Sequence, residues 1–580
     1  MAPRRRDTLC HGRWFSLTRK LVNFCWFFFK WGLLIALAAA GGLAAYWYQQ
    51  VDEEIRRHVE AQVAGHYSGL KVTVRSARLV EGEGIEVRDL TIVEPGAEGP
   101  RAELGHFEEV FLECRTELEE LLVGKPEIRR IVLRRPVLRP TRRADGSWSV
   151  AKLLPFPSFS AHPPAIQIEN GSVEVFDPTR TPASTLVLRD INLLISPPEA
   201  VASPDPARPV PATRRIRGTL TGDFVRQVVI EGVAASDGSG WSFGGSIEGL
   251  EVSPELREAL PDPLAQRLSP LGSLRGQAAM DFRVSSRGGP DGQPQFAVAG
   301  QLTRGRADDA WMPRPLTDIR VGFRASNEGF SINGLHATSG QSTLALSCQR
   351  AGYDSSSPMS LSAEIRNLDV DRRLLEFLLD ANYCRPAADP ALADALSGEV
   401  DASIELAFDG RVWRPRISVE CLNVSLSHPR FPYRLQQTRG EIELVDDVLQ
   451  ARLTGYSGTQ PVRITARVDR ATTAPYGELV IKGDGIPLDE KMLRALQGVV
   501  RALEPRGTLN IYGRIAREQP GAPLSKYIHV GLNRCSLRYA RFPYPLSNIV
   551  GKIELRDDRW VFSELQGTND TGVVKAYGTL

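Results

Sequence analysis

The chain reads as one membrane helix followed by a long, twisted, mostly antiparallel sheet with short helices on one side, a mostly β, β-rich α+β protein. Three observations predict this. One long apolar run, Leu21 to Gln49, lies near the N-terminus. Beyond it, segment after segment alternates apolar and polar residues, the period of a sheet with one buried and one wet face. A strand that turns into a short amphipathic helix then recurs at a fixed step.

From Trp31 to Tyr48 the run carries no charge for 18 residues. That is enough to span a bilayer as a helix at about 1.5 Å per residue. Trp31, Leu34, Ile35 and Leu37 belong to its apolar part, and Tyr46, Trp47 and Tyr48 close it. With Trp26 to Phe29 at the near end, these are the two aromatic belts of a crossing helix. Arg4, Arg5, Arg6, Arg13, Arg19 and Lys20 precede the span against Asp7 alone, and Asp52, Glu53 and Glu54 follow it. The positive-inside rule keeps the N-terminus in the cytoplasm and exports everything after residue 50. A cleaved signal peptide is the rival, because Ala36-Leu37-Ala38 and Ala38-Ala39-Ala40 resemble cleavage sites. The long basic leader and the length of the apolar run favour a retained anchor.

A chain of 580 residues suggests about four domains. Net charge is +2, from 71 basic and 69 acidic residues, so no global attraction draws it to nucleic acid or anionic lipid. The exported part holds Cys114, Cys348, Cys384, Cys421 and Cys535, an odd number without close spacing. They read as buried small hydrophobes rather than a disulfide framework or metal site.

Residues 51–65 read as a short amphipathic helix, with Ile55, Val59 and Val63 on one face. Strands follow around Val72 and Val74 and from Gly84 to Ile92, where Leu90 and Ile92 continue Ile85 and Val87 after a local break. The next strand leads into a helix, Thr116 to Val123, then a turn at Gly124-Lys125-Pro126. A strand from Ile128 to Leu133 is expected to end at Pro136, and another leads to the turn dipeptide Asp145-Gly146. Ala165 to Asp177 reads as two strands joined by a hairpin at Asn170-Gly171. Leu186 to Ile195 is their partner. Residues 196–213, rich in Pro, Ala and Ser, read as a surface loop.

Leu121, Leu122, Gly124, Ile128, Ile131, Pro136, Asp145, Gly146, Trp148, Ile166, Ile168, Gly171 and Asp177 make a pattern over about 150 residues. With the single span ahead of it, the pattern resembles the N-terminal region of the bacterial AsmA-like family, the AsmA/TamB-type proteins anchored in the inner membrane and projecting into the periplasm. The resemblance implies a continuous β-groove whose concave face is apolar along its length.

Leu250, Leu368 and Ile486 each end a strand that turns into a short helix, and both steps between them are 118 residues. The helices are expected at 254–260, 371–379 and 488–503. Gly276, Gly398 and Gly507 then open alternating strands. Phe431-Pro-Tyr-Arg-Leu435 recurs as Phe542-Pro-Tyr-Pro-Leu546, with a weaker copy at Met312, and reads as a corner where Pro interrupts the strand. Polar turns follow at Asn327-Glu328, Asp446-Asp447 and Asp557-Asp558. The expected organisation is a basic leader (1–20), an anchor (21–49), an N-terminal β region (50–195), a loop (196–213), a connecting region (214–249) and repeat units at 250–367, 368–485 and 486–580. Stacked repeats cover one another's open edges. The third unit breaks off in a strand, so it is either atypical or part of a longer chain.

No histidine pair has zinc spacing, and there is no nucleophile elbow or P-loop. Paired aspartates at hairpin turns in each copy read as turn chemistry. The expectation is therefore a protein that is not an enzyme and binds no cofactor, metal or nucleic acid. A sheet with too few helices to cover its apolar face needs another cover, and acyl chains of membrane lipids supply one. The leading expectation is a conduit or carrier of phospholipid between inner and outer membranes, with an unnamed partner at the outer membrane. The alternative is an assembly or scaffolding factor for outer-membrane components with its interior packed shut. The groove candidates share one parity in each strand. They are Val400, Ala402, Ile404 and Leu406, then Leu509 and Ile511, then Ile553 and Leu555.

Overall fold

The computed structural model describes residues 34, 37–39, 52–80, 82–96, 100–114, 127–153, 163–199, 212–235, 240–269, 272–287, 294–309, 312–380, 395–428, 431–495, 504–539, 542–556 and 559–579. Of the anchor residues, Leu34 and Leu37 are helical and exposed, while Trp31, Ile35, Tyr46, Trp47 and Tyr48 lie outside the described residues. So do the helix expected at 116–123, most of the loop 196–213, residues 496–503 and Asp557-Asp558. Among the described residues no helix is long and apolar enough to cross a membrane. The chain is mostly strand with few short helices. It divides into two compact units, one of Met1–Asp223, Val229–Ser239 and Ala259–Asp262, the other of Phe224–Val228, Gly240–Glu258 and Pro263–Leu580.

The first unit holds β1 (Lys71–Val80), β2 (Gly84–Val93), β3 (Glu103–Cys114), β4 (Ile128–Leu138), β5 (Ala165–Asp177), β6 (Ser184–Ile195) and β7 (Thr213–Gly222), while β8 (Val225–Ala235) is divided between the units. From β1 to β7 neighbours pair antiparallel except β4 and β5, which are parallel. The helix over 52–66 lays Val63, Ile55 and Val59 on a core of Val72, Val74, Val87 and Leu104. Asp89 takes a φ of 52°, which turns the alternation over by one residue. Ile85, Val87, Leu90 and Ile92 thereby all reach that core.

Two sequence expectations are corrected here. Asn170-Gly171 makes no hairpin. β5 runs unbroken through it, paired to β4 on one side and β6 on the other, and Asn170 uses its positive φ of 55° inside the strand. Nor does Pro136 end a strand. It lies within β4 opposite Phe107, next to Arg135 at φ 49°, at an irregularity where a missing N–H is tolerated.

The second unit is an antiparallel meander of β9 (Gly240–Val252), β10 (Arg275–Arg287), β11 (Gln295–Ala307), β12 (Leu316–Ser326), β13 (Gly329–Ser339), β14 (Ser342–Ala351), β15 (Met359–Val370), β16 (Leu396–Phe408), β17 (Trp413–His428), β18 (Phe431–Val445), β19 (Val448–Ser457), β20 (Gln460–Asp469), β21 (Tyr476–Pro487), β22 (Arg506–Arg517), β23 (Ser525–Tyr539), β24 (Phe542–Arg556), β25 (Arg559–Asn569) and β26 (Gly572–Thr579). Each strand pairs with the next.

The same local device ends β9, β15 and β21. A residue at positive φ, Gly249 (63°), Asn367 (52°) or Gly485 (64°), makes a bulge just before Leu250, Leu368 or Ile486. Four residues after each bulge stands a helix N-cap, Ser253, Asp371 or Asp489. Its side-chain oxygen accepts from the N–H of Leu256 (3.2 Å), Leu374 (2.8 Å) or Met492 (2.8 Å). Helices Pro254–Ala259, Arg372–Asp380 and Glu490–Ala495 follow, and the first has a companion, Asp262–Arg267. Six strands separate one such site from the next. At Pro432 and Pro543 the proline does not interrupt the strand but is its second residue, where strand pairing begins.

Candidate functional site

Residues directly opposite in an antiparallel pair point to the same face, so register alone sorts the side chains of the second unit. One row runs Ile247, Met280, Gly300, Phe323, Ile332, Cys348, Leu361, Leu406, Pro415. A second runs Ala363, Ile404, Ile417, Leu444, Leu449, Val468. A third begins at Val400 and continues through Cys421, Leu453, Ile464, Ile481, Gly513, Ile528 and Leu555. Ile511, Val530, Ile553 and Phe562 make a fourth, two residues along β22 from Gly513. All eight groove candidates therefore lie on one face, from β16 to β24.

They do not share one environment. Val400 and Leu509 are buried in clusters under the short helices, Val400 with Val370, Cys421 and Val424, and Leu509 with Ile486, Met492 and Tyr433. Ala402, Ile404, Leu406, Ile553 and Leu555 are half-buried, and Ile511 is half-buried against the edge of the Leu509 cluster. The other face is charged. Arg416 pairs with Glu405 (3.5 Å), Arg514 with Glu478 (2.8 Å) and Lys552 with Glu564 (3.0 Å). Such exposed pairs contribute about 0–1 kcal/mol each and mark the wet side rather than hold it together.

How much of the apolar face do the described helices cover? Six strands of about a dozen residues, at roughly 4.8 Å per strand and 3.4 Å per residue, present about 1,200 Å². A helix of 6 to 9 residues is about 9–14 Å long and about 10 Å wide, roughly a tenth of that area. Clusters form where a helix sits, and the rest of the face has no second layer among the described residues.

The paired inward positions of β9 to β26 carry no Asp or Glu, and their Arg and Lys residues are Arg350, Arg517 and Lys526. Sequence reading missed these, because only the register assigns their face. They lie at the strand ends opposite the helices. Burial pushes the Cys348 thiol up, and the Arg350 guanidinium two residues on works against it. Cys114, Cys348, Cys421 and Cys535 are buried and form no disulfide.

Of the turn aspartates, Asp447 is engaged locally. Asp447 Oδ1 accepts from the Thr472 N–H and hydroxyl, both at 2.7 Å, and Thr473 reaches Oδ2 at 3.2 Å. Burial acts against the ionised form of Asp447, but these bonds hold its carboxyl below the usual range. A cleft of about 460 Å³ is lined largely by the outward set, Ser347, Ser362, Glu405 and Arg416, and adds nothing to the apolar face. Among the described residues no three His, Cys, Asp or Glu side chains stand together to hold a metal ion.

Comparison of the chain with protein-family models, with curated proteins and with solved structures finds no match.

Proposed function

We propose that the second unit is a lipid-binding trough, and that the chain carries phospholipid between the inner and outer membranes of a bacterial envelope while its N-terminal helix holds it in the inner one. What carries this reading is an inward face apolar from β9 to β25 with the described helices over roughly a tenth of it. Apolar area left in water is costly, and lipid tails are a cover that slides. Each acyl CH₂ buried contributes about 0.8 kcal/mol, so a few methylenes per strand offset the exposure. Headgroups stay in water along the open side. The chemistry is transfer without reaction, and no residue acts as acid, base or nucleophile. The resemblance of the N-terminal region to AsmA-like proteins and the charge asymmetry around residues 21–49 support the anchored, exported arrangement.

The test is photo-crosslinking inside cells from an amber-encoded probe at position 404 or 511. Lipid adducts at both positions are expected. Adducts only to the protein's own helices, with no lipid recovered, would return the molecule to the scaffold reading.

A further inference from the structure

We infer that the strand-end rim opposite the helices carries headgroup sites, and that Arg350 on β14 and Arg517 on β22, eight strands apart, each bind the phosphate of an acidic glycerophospholipid. This rests on the trough reading above and adds what the trough selects.

Arg350 is the penultimate residue of β14 and faces inward with Phe330, Met359 and Phe408 in its row. Arg517 ends β22, inward, opposite Gly477. The helices follow the far ends of β15 and β21, so both arginines stand at the other rim. Aromatic side chains share that rim and face. Phe408 stacks on Trp413 with ring centroids 4.9 Å apart, and Trp241 lies against Phe243 at 5.5 Å. Amphipathic rings beside cations are what a lipid interface selects.

Charge comes next. A guanidinium has five donors and does not lose its proton. Arg350 Nη2 donates to the Asp354 carbonyl at 2.6 Å and Arg517 Nη1 to the Pro475 carbonyl at 3.2 Å. Neither has a carboxylate partner among the described residues, and the Nε of each is buried without a hydrogen-bond partner. On the outward face, by contrast, arginines such as Arg416 and Arg514 find acids. Half-buried guanidiniums bordering an apolar face, with donors unspent, need an anion that arrives with apolar substance attached. A phosphodiester on two acyl chains has that form and matches guanidinium bidentately, and where no headgroup cation offsets the phosphate, as in an acidic lipid, its whole charge is left for the arginine.

The experiment takes the purified full chain in detergent and equilibrates it with equal amounts of dioleoyl phosphatidylglycerol and dioleoyl phosphatidylcholine. The protein is then re-isolated, and bound lipid is counted by class. The wild type is expected to retain phosphatidylglycerol about tenfold over phosphatidylcholine, a ratio that falls as salt rises. In R350Q/R517Q the ratio falls toward one while total lipid per chain is kept, and R350K/R517K, which keeps the charge but not the planar fork, restores part of the preference. A wild-type ratio near one, or the same ratio in the glutamine variant, overturns the headgroup sites and leaves the trough standing. A wild type that retains neither lipid overturns both. If the glutamine variant does not fold, the salt series and the lysine variant decide, since a ratio indifferent to salt also overturns the sites.

Discussion

Substitution at Gly513 separates an open trough from a packed interior. Gly513 faces inward in β22, between Ile481 and Ile528, and its φ is not in the left-handed region. A Cβ built there meets nothing nearer than Ile481 Cβ at 3.9 Å, ordinary contact. Replacing a strand glycine removes roughly 0.5–1 kcal/mol of unfolded-chain entropy, so Gly513→Ala is expected to stabilise by about that much. Gly513→Leu also adds lateral burial against Ile481 and Ile528, and should stay between neutral and about 1 kcal/mol more stable. Gly455 is the internal control. It is inward too, but beneath the helix-covered cluster, and a Cβ there comes within 2.6 Å of Thr438 Oγ1, a side chain with 0 % exposure. Gly455→Ala is expected to cost about 1–3 kcal/mol, the usual range for overpacking. Urea denaturation of the three variants gives the stabilities, and phosphate analysis of purified protein gives lipid per chain, which should drop for Gly513→Leu. Gly513 is itself buried between its lateral neighbours, so a loss above about 1 kcal/mol in Gly513→Leu refutes the open face when Gly513→Ala is neutral or stabilising, because alanine reports the contact with Ile481 and leucine reaches beyond it.

Other outcomes follow from single contacts. Asp177 is fully buried. Burial acts against its charge, but the Thr179 hydroxyl and N–H, the Asp262 N–H and Arg142 hold its carboxyl down at about 2. A carboxylate depressed on folding stabilises above its unfolded pKa of about 3.9 and loses that contribution as pH falls toward 2. The wild type should therefore lose about 2 kcal/mol across that window, whereas Asp177→Asn starts about that much weaker at pH 7 and loses less, as read by melting at pH 7 and pH 3. Asp489→Ala removes an N-cap and should cost about 1 kcal/mol. Asp371→Ala should cost more, since its carboxylate also holds Arg314 at 2.6 Å; equal urea midpoints for both variants and the wild type would count against the caps. A reporter fluorescent only in the cytoplasm, fused after Leu580, should stay dark.

The repeat was legible because its landmarks are local. A strand end, a bulge residue and a helix start leave a signature that needs no partner, and Leu250, Leu368 and Ile486 carried it. The caps Ser253, Asp371 and Asp489 stand at the same step and were readable by the same logic. Asn170-Gly171 shows where local reading fails. The positive φ that makes this pair favourable in a hairpin also serves a residue inside a continuous strand. What decides between them is partners on both sides, here β4 in parallel and β6 antiparallel, which no short stretch reveals.

The inward face needed more than alternation. β18 alternates through Tyr433 and Leu435, then Gln437 at φ 49° shifts the count, and Thr438, Gly440 and Ile442 continue on the same face with opposite parity. Most strands of the second unit contain such a slip, so parity counted from one end gives the wrong face beyond it. Ile404 and Ile511 share a face with the other alternating residues of their stretches because those stretches contain no slip. Arg350 and Arg517 are also an even number of residues from Cys348 and Ile515, but an arginine at an apolar-phase position invites the opposite reading, that the strand has ended. Register removes the ambiguity, pairing Arg350 with Phe330 and Met359 and Arg517 with Gly477. The same slips that obscure the pattern serve the sheet. Each one adds local twist near the helix-bearing end of its strand and leaves the other end, with Arg350, Arg517 and the aromatic pairs, in regular register.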